Sequence, residues 1–191
     1  TSPDSLTTVF HTAAGREVRD GGGVMPDIEV KQEKLPNILF YLVRDNLIFD
    51  YATQYCLKHP SIPSPQEFKV TDADYNDFKA MVKKADFKYD QQSKKMMKTL
   101  KEAAKFEGYL DEASEEIKAL EKKLTHNLDR DLDYFSKDIR SMIADEIIKR
   151  YYYTRGGIIQ QLKDDDGLQA ALKILADPVK YKETLSAPVK K

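Results

Sequence analysis

The sequence predicts a mainly α protein: a helical bundle with one long helix over about 111–152 and a small β-hairpin appendage at the N-terminus. Three observations predict it. Nine apolar residues (Ile117, Leu120, Leu124, Leu128, Leu132, Phe135, Ile139, Ile143 and Ile147) recur with a mean step of 3.75 residues, close to the α-helical 3.6. Helical spacing also runs through 36–58 and 71–108. The first 34 residues are instead rich in Thr, Val and Gly and alternate like strands. The expected organisation is therefore a β-hairpin segment, 1–34, followed by a helical domain, 35–191.

Composition sets the limits. A chain of 191 residues buries a core without staples. Its 33% charged and 10% aromatic residues belong to a folding chain, not a disordered one. A net charge of −1 argues against nucleic acid as a principal partner. Between Lys69 and Lys105 ten lysines face six acidic residues, which reads as a solvated helix face. One cysteine, Cys56, excludes an internal disulfide and a cysteine-cluster metal site. No run of 18 apolar residues exists to span a membrane, and no signal peptide is evident. Thr1 without an initiator Met reads as an internal boundary.

Leu6–Thr12 and Arg16–Asp20 are the expected strands, with Ala13-Ala14-Gly15 as the hairpin loop and Gly15 left-handed. Pro26 begins a further extended piece, with Ile28 and Val30 on one face. Two or three short strands are not stable alone in water, so they need a sheet to join or helices to cover them.

Pro36 suits a first helical turn, and residues 36–58 carry an apolar arc wide enough for burial on much of the circumference. Residues 38–56 are the expected face toward any missing portion. Pro60, Pro63 and Pro65 end this helix. Thr71 with Asp74 three residues on reads as an N-terminal cap. A break is expected near Tyr89-Asp90 and a stop near Gly108. The long helix follows, its phase kept through the weak helix formers Thr125-His126-Asn127. Gly156-Gly157 costs about 2 kcal/mol inside a helix and marks an end or kink. Asp164–Gly167 reads as a turn into a last helix, which Asp177-Pro178 breaks.

Candidate chemistry resolves into structural roles. A phosphate loop needs Lys-Ser/Thr and a helix start after its glycines, but Val24-Met25-Pro26 follows Gly21-Gly22-Gly23. The triple glycine reads as a tight turn between short strands. His11, His59 and His126 are too scattered for a zinc motif. Asp164–Asp166 lacks the alternation and closing Glu of a calcium loop. Cys56 reads as a buried, inert thiol. Tyr151-Tyr152-Tyr153 spreads over much of a turn, so at least one ring meets another element. No Gly-x-Ser-x-Gly is present. No catalytic, cofactor-binding or metal-binding residue is expected in this chain, and no cofactor.

Thr12-Ala13-Ala14-Gly15-Arg16, then Asp20-Gly21-Gly22-Gly23-Val24-x-Pro26-Asp27-Ile28-x-Val30, resembles the closing segment of the catalytic domain in C-terminal processing peptidases, the tail-specific serine proteases with a Ser-Lys dyad. In that family a T-x-x-G-R hairpin runs into a G-hydrophobic-x-P-D turn shortly after the catalytic lysine. Pro3–Leu6 resembles the end of an insertion that some members carry. Arg150–Gly156 and Ala171–Tyr181 resemble the C-terminal extension of longer members. The family's nucleophile, lysine and PDZ module lie upstream of the hairpin, so the resemblance gives no residue of this chain a catalytic role.

What the resemblance implies is a non-catalytic C-terminal helical region of a C-terminal processing peptidase, inactive alone. Its expected partners are the missing catalytic and PDZ portions of the same polypeptide, peptide or protein substrate in the parent enzyme, and a possible homo-oligomer, with no nucleic acid and no membrane span. The implied role is scaffolding, substrate gating or oligomerisation, and the implied location is the periplasm or cell envelope. Two rival readings are a free-standing helical interaction module and a small hydrolase in its own right.

Overall fold

The computed structural model describes residues 7–13, 15–20, 26–31, 35–125 and 127–186. Gly21-Gly22-Gly23, Pro3–Leu6, Ala14 and His126 lie outside the described residues. The protein is mainly α with a two-stranded antiparallel hairpin near its N-terminus. Contacts divide it into two compact units, Thr1–Glu33 with Asp164–Lys191, and Lys34–Lys163. The second junction falls inside the stretch 35–191 that the sequence reads as one domain.

In the first unit, β1 (Val9–His11) pairs with β2 (Glu17–Arg19) in the register Val9 to Arg19, Phe10 to Val18 and His11 to Glu17. The strands are shorter than expected. Gly15 has φ 76°, as the loop requires, and its N–H donates to the Thr12 carbonyl at 2.9 Å. Residues 26–31 form no strand. Helix α8 (Asp166–Leu175) starts at Asp165, whose carboxylate accepts the Leu168 N–H at 2.8 Å. Asp177-Pro178 does not simply end the helical region. Asp177 caps the Val179 and Lys180 N–H groups, and Pro178 sits in the first turn of α9 (Pro178–Leu185).

The second unit holds the main core. The expected helix 36–58 is two helices, α1 (Asn37–Arg44) and α2 (Leu47–Lys58). Asn46 breaks it with φ 59°, a left-handed conformation that its short polar side chain tolerates. Helix α3 (Asp72–Lys84) has the expected cap in full: Thr71 Oγ1 accepts the Asp74 N–H, and Asp74 accepts the Thr71 N–H at 2.9 Å. Helix α4 (Gln92–Glu107) ends at Gly108, φ 83°.

The expected continuous helix over 111–152 is instead α5 (Ser114–Lys123), α6 (Leu128–Tyr134) and α7 (Ser136–Leu162). Local polar chemistry wins over the apolar phase. Thr125 Oγ1 donates back to the Glu121 carbonyl at 3.0 Å, and Asn127 Oδ1 caps the Arg130 N–H at 3.2 Å, so one helix stops and another starts. A second bend falls at Phe135, φ −95° and ψ 17°.

Helix α7 is itself broken at Tyr153, φ 53° and ψ −156°. A non-glycine residue there costs about 1–3 kcal/mol. The chain folds back on itself beyond this point. Gln161 Nε2 donates to Asp145 Oδ1 at 3.4 Å, whereas a straight helix separates residues sixteen apart by roughly 24 Å. Both glycines expected to kink the helix lie just after the break and are buried. A Cβ on Gly156 would fall 2.4 Å from Tyr152 Cβ and 2.8 Å from Ile148 Cγ2. The glycines are there for close approach between the two arms.

The core of this unit lies between α2, α3, α6 and α7. Ile139, Ile143 and Ile147, spaced by four along α7, are fully buried. From α1 and α2 come Ile38, Leu39, Leu42, Ile48 and Ala52, and from α3 Tyr75, Phe78 and Val82. The arc over 38–56 therefore serves this unit's own core, with Phe40, Val43 and Phe49 left exposed. Tyr75 donates its hydroxyl to the Leu132 carbonyl at 2.6 Å, and Tyr51 donates to the Asp74 carbonyl at 2.6 Å. Burying these aromatic rings leaves no polar atom of theirs unmet.

Phe78 is fully buried, its ring edge-on to Tyr51 at 5.4 Å. Phe78→Ala is expected to lower unfolding free energy by about 3–5 kcal/mol in urea titration, with retained helicity in water. Alkali tests the phenols. Burial, the largest cause, holds Tyr51, Tyr75 and Tyr89 well above the usual phenol range. The unfolded chain ionises near the ordinary phenol value of about 10, while the fold keeps these three protonated. Stability should hold below that pH and fall as pH rises beyond it. Absorbance at 295 nm should show these three of the 11 tyrosines ionising only as helical circular dichroism is lost. Tyr75→Phe should remove one equivalent from that late step.

Candidate functional site

Among the described residues, the side chains singled out for chemistry do not converge; His126 lies outside them. His11 is exposed on β1. His59 closes α2, with its ring stacked on Tyr55 at 4.0 Å and Nδ1 donating to the Tyr55 carbonyl at 2.9 Å. Cys56 is half-buried rather than buried. Burial and the neighbouring Cys56 push the Tyr151 phenol up to about 12. Of the three consecutive tyrosines, two reach another segment: Tyr151 donates to the His59 carbonyl and Tyr152 to the Ile62 carbonyl at 3.1 Å. They pin the proline loop that follows α2. Tyr153 is 78% exposed.

The lysine-rich stretch is largely paired. Lys79 meets Asp133 at 2.8 Å, Lys83 meets Asp129, Lys95 meets Asp90 at 2.7 Å, and Lys101 meets Glu121 at 2.5 Å. The last three are exposed pairs that solvent screens, so the stretch is a solvated and mostly neutralised face. Asp165 of the acidic run is the cap of α8. Among the described residues no group of three or more His, Cys, Asp or Glu side chains is placed to hold a metal ion. No helix among them is long and apolar enough to cross a membrane.

What does stand out is uncovered apolar surface in the first unit. Every residue of β1 and β2 is exposed, including Val9, Phe10 and Val18. Ile28 and Val30 face a groove of about 430 Å³ whose far wall is Ala171, Ile174 and Leu175 of α8 and Tyr181 of α9. Arg16 organises this unit. It pairs with Asp27 and donates Nη1 to the Thr184 carbonyl at 3.3 Å, tying the hairpin to the 26–31 segment and the end of α9. Sequence reading missed Arg16 as an anchor, because both of its partners lie on other segments. The alternating strands did predict an uncovered hairpin.

The family model described as "Probable PDZ-protease, C-terminal helical domain" matches residues 38–175, more than half of the chain. The chain belongs to this family. The match covers Arg150–Gly156 and the start of Ala171–Tyr181, which the sequence reads as a protease's C-terminal extension, and it leaves the hairpin outside. This PDZ-protease helical domain thus runs from α1 to the end of α8, and the hairpin precedes it. As its description states, it is a helical domain within a larger protease polypeptide. No curated protein and no solved structure matches the chain.

Arg16→Ala in this PDZ-protease chain should loosen the first unit alone. Removing a half-buried, charge-assisted anchor of about 1 kcal/mol should speed amide exchange across Val9–Arg19 roughly fivefold. Exchange in α2 and α7 should be unchanged.

Proposed function

We propose that this chain is the non-catalytic C-terminal region of a C-terminal processing serine peptidase, in which residues 1–34 complete the catalytic domain's sheet and the helices act as a scaffold. The observation that carries the reading is the hairpin. Two three-residue strands with every residue exposed cannot hold together by their own packing. Their open edges and the apolar side chains Val9, Phe10 and Val18 call for further strands and a covering layer. The motif resemblance supplies what those strands would be: the sheet that carries the reactive serine and its lysine base. In the parent enzyme the reaction is peptide-bond hydrolysis near a substrate's C-terminus, with lysine as general base for serine, in the periplasm or cell envelope.

A scaffolding, gating or oligomerising role is supported by apolar surface the helices do not use among themselves. On α4, Met96 and Phe106 are 67% and 93% exposed, and Met97 is the helix's one buried residue among those described.

Reconstitution tests the reading. The 191-residue chain alone should cleave no peptide substrate. The parent's upstream catalytic segment, prepared without this chain, should be poorly active and gain cleavage when the chain is added. Phe10→Asp on the hairpin should abolish that gain while leaving α2 and α7 folded. Cleavage by the chain alone, or a catalytic segment indifferent to its addition, would overturn the proposal.

A further inference from the structure

Tyr153 stands apart from the rest of α7. Its backbone lies in a region that L residues avoid, and the residue is 78% exposed, so its side chain contributes little toward holding that conformation. The forces that hold it come from the folded-back arm. Gly156 seats against Ile148 and Tyr152, Gly157 lies over Lys149, and Gln161 reaches Asp145. Gln160 is buried beside Lys163, whose Nζ donates to the Phe68 carbonyl at 3.3 Å.

Each state has something the other lacks. An in-line continuation of 136–152 restores helical geometry at Tyr153 but gives up the arm's contacts. The seated arm keeps those contacts and holds Tyr153 strained. Two adjacent glycines disfavour the in-line helix and admit the seated arm, since a Cβ at either position meets a neighbour at 2.6 Å or less.

We propose that residues 154–163 are a hinged arm that pivots on Tyr153 between the folded-back seat and an in-line extension of the preceding helix. The arm ends at Lys163, the last residue of its unit. The bistable element is a short helix with one seat and a strained pivot, a hinge at which a single residue absorbs the φ/ψ change. The inference is independent of the catalytic reading above.

Spin labels at Lys137 and Leu162, both exposed, in the full chain carrying Cys56→Ser measure the two states directly. In line, the separation is about 37 Å. Folded back, Gln161 lies beside Asp145, eight residues from Lys137, which places the labels about 15 Å apart. Wild type should show a dominant short distance with a minor long one. Tyr153→Gly, which removes the strain, should abolish the long population. Gly156→Ala, which obstructs the seat, should enlarge it at least tenfold with helicity retained. A single short distance in all three proteins would overturn the hinge. Should Gly156→Ala fail to fold, the first pair decides: identical distributions in wild type and Tyr153→Gly also overturn it.

Discussion

The isoleucine stripe of α7 is the constraint on which the main unit depends. Ile139, Ile143 and Ile147 lie one above another on one face, fully removed from water, and α2 lies against them. Burying three such side chains offsets several kcal/mol of chain entropy at one seam. The seam also fixes what can be polar nearby. Tyr75 reaches a backbone carbonyl of α6 from under α3, and Arg140 holds the Val70 carbonyl while its guanidinium covers the Tyr75 ring at 4.4 Å. These groups carry apolar bulk into the interior and deliver their polar ends to carbonyls that lack helical partners.

Among its described residues the first unit has no comparable seam. Its strands are too short and too exposed to generate one, and no residue of α8 or α9 is fully buried. Arg16, paired with Asp27 and the Thr184 carbonyl, ties together segments that bury little against each other. The first unit is thus organised by an ion pair and an open groove, the second by a dense core.

Among the described residues the chemistry-bearing residue types are dispersed. His59 closes α2, His11 sits exposed on β1, Asp165 of the acidic run caps α8, and Tyr151 and Tyr152 tie a proline loop to α7. These are uses that a helical domain makes of polar groups to close its own termini and loops. Lysine pairing along α3 and α4 follows the same logic, since most of the partners are carboxylates on neighbouring segments.

The sequence by itself determined the helical class, the hairpin with Gly15 in its loop, the Thr71–Asp74 cap and the stop at Gly108, because each depends on side chains within a few residues of one another. It also carried the motifs that foretold the family. The division of the long apolar stripe into three helices was written only faintly, in Thr125 and Asn127, whose bonds to nearby backbone outweigh a hydrophobic phase that runs on unchanged. The tertiary structure alone decided the reversal at Tyr153 and the anchoring by Arg16. The reversal needs Gly156 to meet Ile148 across a turn, and the anchor needs Asp27 and Thr184 brought together from opposite ends of the chain. Gly156-Gly157 marked locally that the helix would break near there, but the direction of the reversal and the Arg16 anchor have no local signal, since the energy that holds them exists only once distant surfaces touch.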